Sequence, residues 1–310
     1  MTTTDVVELH RRSVERFADL VQQVRADQWD DPTPCSDWSV RDLVNHLVVE
    51  DRWTAPLMRG STMAEVGDRL DGDLLGRDAV SAVIDAAKEA VYAVGEPGAT
   101  DRVVHLSFGD APGADYAWQL FADHLVHGWD LAKAIDVDDR LDPALVSALA
   151  DWFAGVEETY RSMGAIGPRV TLPPDARAQD RLLAAFGRDP SWGRDAVLVR
   201  RFGAAFDRGD LDAIMSMMTE DCVFESTNPA PDGTRIEGAP AVRAAWERMF
   251  SETRAPRFET EAVVACGDRA VLQWVFHWQQ SDGAPGHVRG VDVLRLRDGL
   301  VAEKLSYVKG

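Results

Sequence analysis

Cysteine is scarce in this chain. Only three occur in 310 residues, Cys35, Cys222 and Cys266. They lie far apart and form no CxxC pair, which argues against a disulfide framework and against a thiolate zinc site, and fits a reducing cytoplasm. Long apolar runs are also lacking: none approaches the roughly 18 residues that a membrane span requires. The N-terminus has no basic flank leading into an apolar core, so no secretory signal is read there. Basic residues are outnumbered, 33 Lys and Arg against 52 Asp and Glu, for a formal charge of −19. Capture of a phosphate backbone depends on Lys and Arg, so nucleic acid is excluded as an expected partner. The acidic excess favours solubility and says little about fold.

What is present is ordinary for a soluble globular protein: 45% apolar and 27% charged residues, enough for a core in each of two domains at this length. Apolar positions at helical spacing predict a first helix over about 5–24, with Val6, Leu9, Val14, Phe17, Leu20, Val21 and Val24 on its inner face. Two prolines, Pro32 and Pro34, rule out helix in the segment that follows. A second helix is expected from Ser39, where Ser39-Val40-Arg41-Asp42 resembles a capping box with Asp in place of Glu. Residues 57–75 read as a connection or a short irregular helix, 78–94 as a third helix, 103–108 as a short extended piece and 109–113 as a turn. A fourth helix covers about 114–135 and a fifth about 143–163.

The fourth of these organises the first half. Within Asp123-His124-Leu125-Val126-His127-Gly128-Trp129-Asp130, Asp123 and His127 are four residues apart, so one helical turn puts carboxylate and imidazole on a common face. Leu120, Leu131 and Ala134 lie roughly on that side, which turns the pair toward the bundle interior. A buried carboxylate and imidazole require a reason: they either pair with polar groups inside the core or hold a metal ion that a ligand on another helix completes. His46, beside Leu43 and Leu47 on the second helix, is the candidate third ligand or else a satisfied core histidine. Asp130 is a candidate partner for a ligand histidine. Cys35, just before a helix N-terminus, is either a packing residue or a thiol made more acidic by the helix dipole.

Three blocks carry a resemblance: Pro32-Thr33-Pro34-Cys35-Ser36-Asp37-Trp38 running on to His46-Leu47, then Leu125-Val126-His127-Gly128-Trp129-Asp130-Leu131-Ala132, then Asp180-Arg181-Leu182-Leu183 to Arg188-Asp189-Pro190. In this order they resemble the metal-binding N-terminal domain of mycothiol-dependent maleylpyruvate isomerases, part of the DinB-like superfamily. The resemblance implies a four-helix bundle holding a divalent metal, usually zinc, through His46, Asp123 and His127. The family typically has Glu at the carboxylate position, where this chain has the shorter Asp123. It also implies mycothiol as a thiol co-substrate. Two imidazoles and one carboxylate leave a position open on a tetrahedral ion, the catalytic rather than the structural pattern, and a thiol there is deprotonated.

Composition shifts after Pro168, and the domain boundary is placed at 193/194. The remainder predicts helices first (197–207, 211–218 and 240–250, with a strand at 222–225 between) and then four long alternating runs ending at 308, joined by hairpin turns at Cys266-Gly267-Asp268 and Arg297-Asp298-Gly299. Helices followed by an antiparallel meander indicate α+β. This order, with Phe206-Asp207-Arg208-Gly209-Asp210-Leu211 and Arg289-Gly290-Val291-Asp292-Val293-Leu294, resembles the SnoaL-like, nuclear-transport-factor-2-like cone, in which a curved antiparallel sheet and helices enclose a pocket. In polyketide-cyclase members of that family an Asp and a His face the pocket. Strand parity puts Asp292 with Leu294 and Leu296, which suits either a general base or a buried structural carboxylate. His277 is its candidate partner, with the inward side of that strand left open by parity.

The expected whole is therefore a cytoplasmic two-domain enzyme, a DinB-like bundle over 1–193 and a SnoaL-like α+β domain over 194–310. Its metal site would activate a low-molecular-weight thiol against a small electrophilic substrate, as a thiol transferase or isomerase. A metal-independent isomerase, cyclase or dehydratase, or a small-ligand-binding protein with a structural bundle, is the competing expectation. A homodimer through the C-terminal domain is also expected, and no membrane partner.

Overall fold

The computed structural model describes residues 3–35 and 38–309; Ser36 and Asp37 of the proline segment lie outside the described residues. The chain divides into two compact units, Met1–Ser191 and Trp192–Gly310, against the 193/194 junction read from composition.

In the first unit α1 (Thr3–Val21), α2 (Val40–Met58), α4 (Ala79–Val94) and α5 (Gly113–Ile135) pack as a four-helix bundle. A single turn, α3 (Met63–Val66), lies between α2 and α4, and α6 (Pro143–Phe153), α7 (Glu157–Ser162) and α8 (Ala178–Ala185) follow. The start of α2 is fixed locally. Ser39 accepts from the Asp42 amide while the Asp42 carboxylate accepts from the Ser39 amide, so two otherwise orphaned donors are satisfied reciprocally. Phe17 and Leu20 of α1, Leu43 and Leu47 of α2, and Leu120 and Phe121 of α5 are buried; each such side chain contributes roughly 1.5–3 kcal/mol on leaving water.

Two local expectations change. Residues Gly109–Pro112 form a strand, β2, paired antiparallel with β1 (Val103–Leu106), and the turn falls at Ser107 and Phe108 instead. Gly113 then opens α5 because the Ala99 carbonyl sits where its Cβ would be. The helix expected over 143–163 is broken into α6 and α7 around Gly155, a residue that weakens helix interiors by roughly 1 kcal/mol.

The second unit begins with α9 (Arg194–Arg208) and α10 (Leu211–Ser216), followed by β3 (Met218–Glu225), β4 (Arg235–Glu237), α11 (Ala239–Glu252), β5 (Arg257–Cys266), β6 (Arg269–Gln279), β7 (Pro285–Arg297) and β8 (Leu300–Val308). Its sheet has the order β4-β3-β8-β7-β6-β5. It is mixed, not wholly antiparallel as expected, because β3 pairs parallel with β8. The hairpins close on Gly267-Asp268 and on Asp298-Gly299, the latter pair both at positive φ, 55° and 72°, as a primed two-residue turn requires. Phe202 and Phe206 of α9 and Trp246 of α11 pack against Leu272, Trp274, Leu294 and Leu296 of the sheet. Gly290 in β7 is a packing requirement: an added Cβ would lie 2.5 Å from the Trp274 ring. No helix among the described residues is long and apolar enough to cross a membrane.

Candidate metal centre

The i, i+4 spacing on α5 does bring Asp123 and His127 to one side of that helix, and α2 delivers His46 opposite them. One ligand atom from each lies within 4.8 Å of the others. His46 Nε2 is 3.3 Å from Asp123 Oδ2, and His127 Nε2 is 3.9 Å from Asp123 Oδ1. The cluster is partly open: the side chains of His46, Asp123 and His127 are 27%, 40% and 8% exposed. Trp38 packs over both imidazoles, 4.7 Å from the His46 ring and 5.5 Å from the His127 ring.

Behind His127 stands a fully buried carboxylate. Asp130 Oδ2 accepts from His127 Nδ1 at 2.9 Å, which places the ring proton on Nδ1 and leaves the Nε2 lone pair on the side of Asp123. Arg188, from the segment after α8, holds Asp130 in turn through Nε at 3.1 Å and Nη2 at 2.9 Å. Arg188 Nη2 also lies 2.9 Å from Cys35 Sγ. Burial and the neighbouring Asp130 push the Cys35 thiol up to about 12. The acidified thiol considered for Cys35 is thus corrected: desolvation and a carboxylate outweigh Arg188 and any dipole.

Charges set the rest of the site. Burial works against ionisation of Asp123, yet the facing imidazoles of His46 and His127 hold its carboxyl below the usual range. Burial likewise opposes charge on His46, but the hydrogen bond to Asp123 together with the negative charges of Asp123 and Glu50 outweighs it, leaving His46 raised. Glu50, one turn on from His46 along α2, is pushed up to about 7 by burial and by the negative charge of Asp123.

A second group of the same composition lies deeper in the bundle. His10 of α1, Asp51 of α2 and His124 of α5 also place ligand atoms within 4.8 Å of one another, and all three are buried. His124 Nδ1 donates to the Leu120 carbonyl at 2.9 Å, and its Nε2 is 3.3 Å from Asp51 Oδ1. Burial works against charge on His124, but Asp51 outweighs it and the pKa is raised. His10 meets the His124 ring edge-on at 5.9 Å, neither of its nitrogens has a hydrogen-bond partner among the described residues, and burial lowers its pKa to about 3. His124 therefore points away from the Asp123 site.

In the cone the two sequence candidates separate. Asp292 pairs in register with Leu272 and is buried on the inner side of the sheet. There it accepts from Ser306 Oγ at 2.7 Å and lies 2.9 Å from Lys304 Nζ. His277 has the opposite parity to Trp274, Phe276 and Trp278, which line the cavity. It faces away, with Glu259 as its acidic neighbour at 3.5 Å. The two cannot act as a pair, since alternate residues of one strand face opposite sides of a sheet.

Four members of these clusters escaped the sequence reading: Arg188, His10, Asp51 and Lys304. Arg188 lay within a quoted block without a role. Nothing local marked the other three, whose acidic or imidazole partners are 12 to 114 residues away by number.

The fold defines a class, a helical bundle carrying a His–Asp–His cluster followed by an NTF2-like cone with a mixed sheet. Residues 10–132 match the family model described as mycothiol maleylpyruvate isomerase N-terminal domain, and residues 199–304 match that of the SnoaL-like domain. Uncharacterised proteins from two strains of Mycobacterium tuberculosis are each 33% identical over 190 residues, covering 59% of this chain and 98% of the relative. The chain thus carries a mycothiol maleylpyruvate isomerase N-terminal domain followed by a SnoaL-like domain. Among solved structures, an NTF2-like protein of unknown function from Mesorhizobium loti is 34% identical, covering 46% of this chain and 100% of that one, with a TM-score of 0.34. An NTF2-like protein of unknown function from Burkholderia pseudomallei is 20% identical, covering 38% and 92%, also with a TM-score of 0.34.

Proposed function

We propose that the bundle is a metal-dependent enzyme domain in which His46, Asp123 and His127 hold a divalent ion, zinc by preference, and activate a low-molecular-weight thiol, mycothiol, against a small electrophile. The observation that carries this reading is the orientation of His127. Its Nδ1 proton is committed to Asp130, so Nε2 keeps a lone pair turned toward a carboxylate and a second imidazole. This carboxylate–histidine arrangement is the usual outer support of a metal ligand. Two nitrogens and one oxygen suit zinc, with a coordination position left over.

A bound divalent ion would supply the positive charge that favours thiolate over thiol near neutral pH. The chain's own residues do the rest. Arg188 locks Asp130, Asp130 locks the His127 ring, and Trp38 covers one side of both imidazoles and keeps water from it. Addition of the thiol across a conjugated double bond forms one S–C bond and delivers the thiol proton to the adjacent carbon. Isomerisation follows when rotation about the resulting single bond precedes loss of the same thiol and proton.

The test is direct. Purified chain is mixed with mycothiol and maleylpyruvate, and adduct and isomer are followed by mass spectrometry and absorbance. Metal-dependent turnover that disappears in His127→Ala supports the reading; equal rates with and without chelator refute it.

A second reading places ligand binding or metal-independent chemistry in the cone. One observation favours it: a cavity of about 1020 Å³ walled by aromatic side chains, of the size that takes small-molecule ligands.

A further inference from the structure

The floor of that cavity carries an ammonium group. Lys304 of β8 is 5% exposed, and two of its three donors are engaged, one on Asp292 at 2.9 Å and one on Ser306 Oγ at 2.8 Å. Its Nζ also lies 5.4 Å from the centre of the Phe206 ring and 5.0 Å from that of Phe224. A buried charge is costly unless its partners are complete, and the remaining side of the ammonium is bordered by these rings and the cavity.

The walls are flat and apolar: Trp246, Phe258, Trp274, Phe276 and Trp278 line them with Phe206. Aromatic walls by themselves also suit cations. Here Lys304 already occupies two of the rings, so an incoming cation would meet a like charge in a poorly screened site. The other charged lining residues are Arg248, Arg254 and Glu252. Including Lys304, that makes three cations and one carboxylate around a cavity in a chain of net charge −19. Asp292 offsets Lys304 from beneath without lining the cavity.

We propose that the cone binds a flat, conjugated organic anion, with rings between the aromatic walls and its carboxylate, phenolate or enolate oxygen on Lys304 Nζ. Asp292 and Ser306 act as positioning residues that aim the ammonium. The inference deepens the second reading above, on which it rests for the statement that the cavity takes a ligand, and it is independent of the metal centre in the other unit.

The experiment compares 2-naphthoate with 2-naphthamide, which share a ring system and differ in charge. Quenching of the cavity tryptophans and calorimetry report binding to the full chain. The expected result is tighter binding of naphthoate, lost by roughly 10- to 100-fold in Lys304→Met, as fits a charge-assisted hydrogen bond, with naphthamide unaffected. The Lys304→Met/Asp292→Asn double variant repeats the measurement without leaving a lone buried carboxylate, should the single variant not fold. Equal binding of the two probes, or full naphthoate affinity without Lys304, overturns the oxyanion site while leaving a ligand cavity in place. Binding of neither probe overturns both.

Discussion

Two triads of identical composition lie back to back in one bundle, and α5 serves both: Asp123 and His127 on one side, His124 on the other. His46, Asp123 and His127 are reached by solvent, whereas His10, Asp51 and His124 are sealed. The difference lies in where the second nitrogen of each key histidine is committed. His127 Nδ1 is held by a carboxylate that an arginine fixes, leaving Nε2 toward the opening. His124 Nδ1 is held by a backbone carbonyl, and its Nε2 faces Asp51 Oδ1 at 3.3 Å, a neighbour that favours the charged ring and helps to raise its pKa. Only the open group leaves a ring nitrogen turned toward solvent, where the cation proposed above would sit. A donor set alone does not make a metal site; access and the second nitrogen's partner decide.

The largest effect that would break this contrast is in metal content. Native chain is expected to carry about one divalent ion, the number that a single three-ligand site with an open position holds. His127→Ala should reduce this to background and abolish thiol-dependent turnover, read by elemental analysis and rate assay on the same sample. Two ions in native protein, one of them surviving in His127→Ala, would mean that the sealed group is loaded as well. Next in size is Asp130→Asn. It keeps the shape but removes the charge that orients His127 and balances Arg188, so metal affinity should fall by about 10- to 100-fold. A competing-chelator titration measures it, and an unchanged affinity would reduce Asp130 to a packing residue.

How far the sequence reveals these sites follows from the reach of each signal. Asp123 and His127 were legible because a helix converts a spacing of four into adjacency, and His46 because a capped second helix and a resemblance placed it. The capping box at Ser39 and Asp42 and the turns at Gly267 and Asp298-Gly299 were equally local. Arg188 reaches Asp130 across 58 residues, and His10 meets His124 only because α1 packs along α5; no periodicity encodes such pairings. Strand parity put Asp292 on the right side of β7, but its partner Lys304 depends on the β7–β8 register. Parity could not choose a face for His277, since β6 carries bulky apolar residues of both parities. The parallel pairing of β3 with β8 was hidden for a related reason: alternation marks a strand without naming its neighbour.

The smallest effect concerns protons and sharpens the sealed side of the contrast. His10 stays neutral in the folded chain down to about pH 3 because burial disfavours its charged form, whereas an unfolded histidine takes up a proton near pH 6.5. Its folded pKa is the lower one, so the unfolded state binds more protons as pH falls below 6.5, and the bundle loses stability on that side. Between pH 7 and 5.5 the loss from this one group is about 1 kcal/mol. His10→Phe retains an edge-on ring against His124 and cannot titrate, so it should remove that increment while leaving Asp51 and His124 in place. Hydrogen exchange of α1 and α5 amides at both pH values, with chelator present, is the suitable measure, because a chain of two units has no single unfolding free energy. A His10→Phe bundle as acid-sensitive as the native one would show that His10 takes up its proton without cost. The sealed triad would then be an open one in disguise.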